Sequence, residues 1–194
     1  MATKKLIAIT GGIGSGKSVV ARVLRNMGFN VYDCDLEAKR LMNSSPIIKQ
    51  QLTDHFGENI YTHDGFLNKP LLSSIIFNNH EALSIVNSIV HPVVKDDLIN
   101  WHQSIPLCRS FVETAILVES GMQTMVDEVW NVTAPIETRI ARVISRNSTT
   151  RDKVLERINS QSTSLSEITL PVKNIINDGT TAIMPQIIAL LSRG

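Results

Sequence analysis

Residues 5–20 read KLIAITGGIGSGKSVV, and this stretch decides the fold. KLIAIT, at 5–10, is short, rich in aliphatic and β-branched residues, and ended by glycine, which is the pattern of a buried strand. VVARVLRNMG, at 19–28, sets Val19, Val20, Val23, Leu24 and Met27 at helical spacing, with Gly28 as the stop. Between them, Gly11-Gly12-Ile13-Gly14-Ser15-Gly16-Lys17-Ser18 is a full G-x-x-x-x-G-K-[ST] match, in the strand-then-helix context that gives the pattern meaning. NVYD at 30–33 reads as a second strand. Strand, glycine loop, helix and strand are the opening of a parallel α/β sheet with a right-handed crossover.

The residue types in the loop follow from its chemistry. Glycines let backbone N–H groups converge on phosphate oxygens without Cβ clashes. The helix start adds about half a positive charge. Lys17 can reach the β- and γ-phosphates, and the Ser18 hydroxyl can ligate Mg²⁺. A nucleoside triphosphate with Mg²⁺ is therefore expected, while the acceptor stays open. A GTPase would carry an N-K-x-D motif late in the chain; Asn68-Lys69-Pro70-Leu71 lacks the aspartate and falls among expected helices. A kinase for a small acceptor fits the length.

Asp33 and Asp35 flank Cys34 at the carboxyl end of the second strand, where ligands of such sheets bind. A carboxylate there can orient an acceptor hydroxyl and take its proton, an effect of roughly 10²–10⁴-fold. One of the two can instead cap the helix that follows. We read Asp33 as the base and Asp35 as the cap, with the exchange of roles as the alternative. Cys34 reads as small packing. Glu113, at the end of an expected third strand (110–115), is either a contact to acceptor or Mg²⁺ or an ordinary strand-end carboxylate.

Further on, the basic residues Arg139, Arg142, Arg146, Arg151, Lys153 and Arg157 are interrupted only by the acids Asp152 and Glu156. Arg139, Arg142 and Arg146 share one helical face. The reading is either a solvated face or, beside a phosphate loop, a closing lid of two helices at about 139–165 that converges on the triphosphate. A fourth strand is expected at 128–134, a weak last strand at 174–178, and a helix over 183–191. The stretch from 36 to about 107 reads as an inserted helical subdomain, with Ser45-Pro46 starting one helix and a break or restart at His91-Pro92. The expected core is thus about 1–35, 108–138 and 172–194.

Composition is consistent with this single α/β domain. The 194 residues are 43% hydrophobic and 19% charged, with a net charge of +1. That excludes a disordered chain and argues against a dedicated nucleic-acid binder. No apolar run reaches the ~18 residues of a membrane span. The opening MATKKLIAIT mimics a signal peptide, but its apolar run stops at the glycines. Two cysteines, Cys34 and Cys108, form neither a disulfide framework nor a metal spacing, which points to a reducing cytoplasm.

Taken together, TGGIGSGKSVVA at 10–21, Asp33-Cys34-Asp35, the run from Leu67-Asn68 to Phe77, Asn87-Ser88-Ile89-Val90-His91-Pro92, the set Arg142, Arg146, Arg157 and Gln161, and NDG at 177–179 resemble the dephospho-coenzyme A kinase family over nearly the whole chain. The resemblance implies a P-loop NTPase-type three-layer sandwich with a nucleotide core, a helical substrate subdomain and a helical lid. It implies ATP-dependent phosphorylation of the ribose 3′-hydroxyl of dephospho-coenzyme A, with Asp33 as base and Lys17, Arg142 and Arg146 neutralising the transferred group. His91 would lie on the substrate side, or would be a structural group at a helix end. A cytoplasmic monomer or weak homo-oligomer is expected. The sequence departs from the family in lacking a proline within Glu113–Glu119, in Pro171-Val172, and in Arg139 where a glutamine is usual. A kinase for another nucleoside or nucleotide and a non-catalytic nucleotide-binding module are the alternative readings.

Overall fold

The computed structural model describes residues 4–77, 79–161, 165 and 168–192. The chain divides into two compact units, one made of 1–32 with 105–194 and the other of 33–104. The end of the expected lid, at 162–164, lies outside the described residues.

The first unit is built on a sheet whose strand order is β2-β3-β1-β4-β5. Its strands are β1 (Lys5–Thr10), β2 (Val31–Asp33), β3 (Arg109–Glu113), β4 (Glu128–Thr133) and β5 (Val172–Ile176). β1 pairs in parallel with β3 and β4, and β4 with β5. β1 is therefore central: from it the chain runs out to β2 and back to β3 on one side, then crosses to β4 and β5 on the other, which makes its carboxyl end the switch point where α/β sheets bind ligands. Its helices are α1 (Lys17–Asn26), α6 (Ile136–Asn147), α7 (Arg151–Ser160) and α8 (Ile183–Leu191). Val20, Ala21 and Leu24 of α1 and Ile187 of α8 bury against Ile7, Ile9, Phe111, Trp130 and Val132. Phe111 holds Trp130 at a centroid distance of 5.1 Å and Phe29 edge-on at 5.5 Å. β5 runs two residues earlier than the sequence predicts. Its register is set by its neighbour: Val129 pairs with Val172, and the N–H of Val129 donates to the carbonyl of Pro171.

The second unit holds α2 (Cys34–Ser44), α3 (Pro46–Phe56), α4 (Lys69–Ile76) and α5 (His80–Ser104). Their core includes Leu41, Ile48, Leu52, Leu72, Val86, Val90, Val94 and Leu98. Arg40 on α2 pairs with Glu37 and holds both carboxylate oxygens of Asp97 on α5, at 2.8 and 2.9 Å, so its guanidinium stays protonated far beyond the usual range. The expected break at His91-Pro92 does not occur. α5 continues through Pro92 for 25 residues. A proline in a helix interior costs about 3 kcal/mol. Ile89 and Val90 before it and Val94 and Leu98 after it are all buried, and at roughly 1.5–3 kcal/mol each they outweigh that cost. His91 therefore lies in mid-helix, not at a helix end. Burial, with Lys95 one turn on, lowers the pKa of its imidazole below the ordinary value.

Candidate active site

The loop Gly11–Gly16 joins β1 to α1, and two side chains fix its second half. Asn177, buried just beyond β5, donates from Nδ2 to the carbonyl of Ser15 at 2.8 Å. Arg142 on α6 donates to Asn177 twice, to its carbonyl at 3.0 Å and to Oδ1 at 3.2 Å, and it reaches the carbonyls of Gly14 and Ser15 at 3.5 and 3.4 Å. Gly16 has φ +93°, and a Cβ there would strike the Asn177 side-chain amide. Glycine at this position is thus required both by the backbone and by a protein neighbour. At Gly14 a Cβ would lie 2.6 Å from the carbonyl oxygen of Arg139. α6 approaches so closely that only glycine fits.

Lys17 opens α1 and donates from Nζ to the Gly11 carbonyl at 2.7 Å, so its ammonium lies back over the loop. Ser18 follows it on the first turn, exposed. The registered pairing of Ile9 with Glu113 sets Glu113, at the end of β3, beside the strand that feeds the loop.

The three arginines expected on one face do not all converge on the loop. Arg139 donates from Nε to the Ile13 carbonyl at 2.9 Å, and partial burial there lowers its pKa. Arg142 stands beside it on the loop. Arg146 is exposed on the last turn of α6 and donates to the Asn147 side chain at 3.1 Å. Arg151 makes a two-bond ion pair with Glu137, both at 2.7 Å, which ties α7 to α6 and depresses the Glu137 pKa.

Asp33 ends β2 and is the N-cap of α2, with its Oδ1 accepting from the Leu36 N–H at 3.0 Å. This corrects the assignment of the cap to Asp35. The helix starts at Cys34 directly from the strand, which leaves Asp33 in the capping position and Asp35 within the first turn. Asp33 and His91 both belong to the helical unit. Two residues were missed as individual contacts. Asn177 was visible only as part of NDG and Gln161 only as a member of the set with Arg142, Arg146 and Arg157; each touches the loop from more than a hundred residues away.

A glycine loop between a central parallel strand and a helix, with a lysine and arginines on it, defines a P-loop phosphotransferase of α/β fold. The dephospho-CoA kinase family profile matches residues 5–182. The chain is 39% identical over 188 residues to a dephospho-CoA kinase of Bacteroides fragilis, covering 96% of this chain and 91% of that protein. A crystal structure of a Thermus thermophilus protein superposes with a TM-score of 0.81 at 29% identity over 98% of both chains. The dephospho-CoA kinase of Campylobacter jejuni, at 20% identity, shares the fold with a TM-score of 0.69 over 99% of both. The chain belongs to the dephospho-CoA kinase family. Among the described residues, no helix is long and apolar enough to cross a membrane.

Proposed function

We propose that the protein transfers the γ-phosphoryl group of ATP to the ribose 3′-hydroxyl of dephospho-coenzyme A, giving coenzyme A and ADP. Family membership supports the acceptor, and the single structural observation that carries the chemistry is the loop Gly11–Ser18 with its attendant cations. In this reading Gly11, Gly12, Ile13, Gly14, Ser15 and Gly16 form the cradle wall, and Lys17 and Ser18 complete it.

Asp33 accepts the proton of the hydroxyl as its oxygen forms the new P–O bond, and the bond from γ-phosphorus to the bridging oxygen breaks, with ADP leaving. The cap uses Oδ1 of Asp33, and Oδ2 is the oxygen assigned to the proton. Lys17, Arg142 and Arg146 offset the charge that spreads over the equatorial oxygens. Arg146 reaches the nucleotide only if the far end of α6 moves inward, which is the proposed role of the α6–α7 pair as a lid that excludes water.

The donor set fits a magnesium ion that arrives with its nucleotide. Ser18 offers one hydroxyl, and among the described residues no group of three His, Cys, Asp or Glu side chains could hold a metal. Mg²⁺ keeps several waters and few protein ligands, and it supplies charge neutralisation at the β- and γ-phosphates. Glu113 is assigned to the acceptor and the hydrated ion, and His91 to the substrate, which the helical unit 33–104 would bind. The expected setting is a cytoplasmic monomer or weak homo-oligomer, acting on a small molecule and not on nucleic acid.

Incubation with Mg-ATP and a panel of hydroxyl acceptors tests the reading. Product is expected with dephospho-coenzyme A and not with nucleosides, nucleotides or shikimate-like alcohols. Equal or faster transfer to a nucleoside would replace the proposed acceptor, and ATP binding without transfer to any acceptor would leave a nucleotide-binding module.

A further inference from the structure

Ile13 stands at the crest of the phosphate loop, and both polar groups of its backbone are taken up by the α6–α7 pair. Its N–H donates to Gln161 Oε1 at 2.7 Å, and its carbonyl accepts from Arg139 Nε at 2.9 Å. Its side chain packs on the small core that joins the two helices, formed by Ile140, Val143 and Val154. Gln161 also reaches onward, donating from Nε2 to the Ala115 carbonyl at 3.0 Å, two residues beyond β3. Both ends of one amide are thus used with opposite polarity. The reversed amide would set NH₂ against an N–H and oxygen against a carbonyl, so its partners fix its orientation. Gln161 caps the C-terminus of α7, and its own backbone is placed by the helix.

An N–H held by a glutamine is not offered to a phosphate in this conformation. What Ile13 contributes is position: it fixes where the crest stands relative to the segment Glu113–Ala115. Phosphoryl transfer depends on placing nucleophile and phosphorus in line, and an error of about 1 Å costs about 10²-fold.

We propose that Gln161 is a positioning residue for phosphoryl transfer, acting through the Ile13 peptide to hold the loop crest in register with the end of β3. The proposal rests on the reading of the loop as the ATP site. It assigns no contact between Gln161 and nucleotide. Gln161 governs turnover, and the second half of the loop, held by Asn177 and Arg142, governs nucleotide affinity.

The test compares Gln161→Met, which removes both bonds at similar length, with Gln161→Glu, which keeps an acceptor for the Ile13 N–H. With ATP and dephospho-coenzyme A, Q161M is expected to lower kcat about tenfold or more. Its KM for ATP should stay within about threefold of wild type, and its Tm should fall by no more than about 8 °C, the loss of two hydrogen bonds. In the nucleotide-free protein, hydrogen exchange at the Ile13 amide should be at least about tenfold faster in Q161M and near wild type in Q161E. An unchanged kcat in Q161M overturns the proposal, as does an Ile13 amide exchanging equally in all three proteins. So does a KM that rises in step with the loss of kcat, since that would make Gln161 a binding group. If the wild-type protein phosphorylates no acceptor, the functional reading fails instead, and the exchange experiment still decides whether Gln161 holds the loop.

Discussion

Asp33→Asn separates two roles that one carboxylate is asked to fill. As an N-cap, Asp33 accepts from the Leu36 N–H at 3.0 Å, and an asparagine oxygen does this equally well. The variant loses only the negative charge at the start of α2, which is about 0.3–1 kcal/mol. For a chain of 194 residues that is a fall in Tm of at most about 4 °C. As a base, Asp33 cannot be replaced by an amide, so kcat should fall about 10²–10⁴-fold, or about 2.7–5.5 kcal/mol of barrier. ATP affinity should hold, because the loop and its clamps are untouched. Asp33→Ala should show the same kinetic loss and about 1 kcal/mol less stability than D33N, because the cap goes too. The assay couples ADP release to a spectrophotometric readout with Mg-ATP and dephospho-coenzyme A, beside a thermal melt and ATP calorimetry. Turnover of D33N within about threefold of wild type would refute the base assignment and leave Asp33 as a cap alone.

Three further outcomes are expected. Lys17→Ala should abolish detectable transfer with the melt unchanged, and near-normal rates would undo the role of the loop. Gly16→Ala should raise the KM for ATP by about tenfold or more, since its Cβ would strike the Asn177 side-chain amide and a left-handed backbone costs an L-residue about 1–2 kcal/mol; a wild-type KM would count against the close packing seen here. His91 gives a pH signature. Its folded pKa lies below the ordinary value of 6.5, so as pH falls through 6.5 the unfolded chain takes up a proton that the native state refuses, and stability drops until the lower, folded pKa is passed. Melts of wild type should therefore lose Tm between about pH 7 and pH 5 more steeply than those of His91→Gln, and parallel curves would contradict the burial of the imidazole.

The parts of this fold that were legible in the sequence are those whose chemistry fixes neighbouring positions. KLIAIT followed by glycines, lysine and serine could be placed because strand, cradle and helix are contiguous. Pro92 misled because its cost is local while the compensation, the burial of Ile89, Val90, Val94 and Leu98, is tertiary. The cap at Asp33 was misplaced by two residues because a strand that passes into a helix with no residue between them leaves no signal in composition. Arg139, Arg142 and Arg146 do share a face, but helical periodicity says nothing of where along its axis that face meets the loop.

That axial position carries a functional consequence. Ile13 belongs to the core of the α6–α7 pair, and Arg139 and Arg142 already rest on the loop, so the near end of the pair is docked. Swinging the whole pair away would expose Ile140, Val143 and Val154 and strip the Ile13 peptide of both partners. The segment free of those ties is the far turn of α6, where Arg146 is exposed, whereas Arg151 holds the start of α7 to Glu137 on the first turn of α6. Arg142 is thus built into the geometry of the loop, whereas Arg146 would reach it only through the closure proposed above. A single motif of arginines in the sequence therefore divides into Arg139 and Arg142, which rest on the loop, and Arg146, whose charge only the proposed closure would deliver.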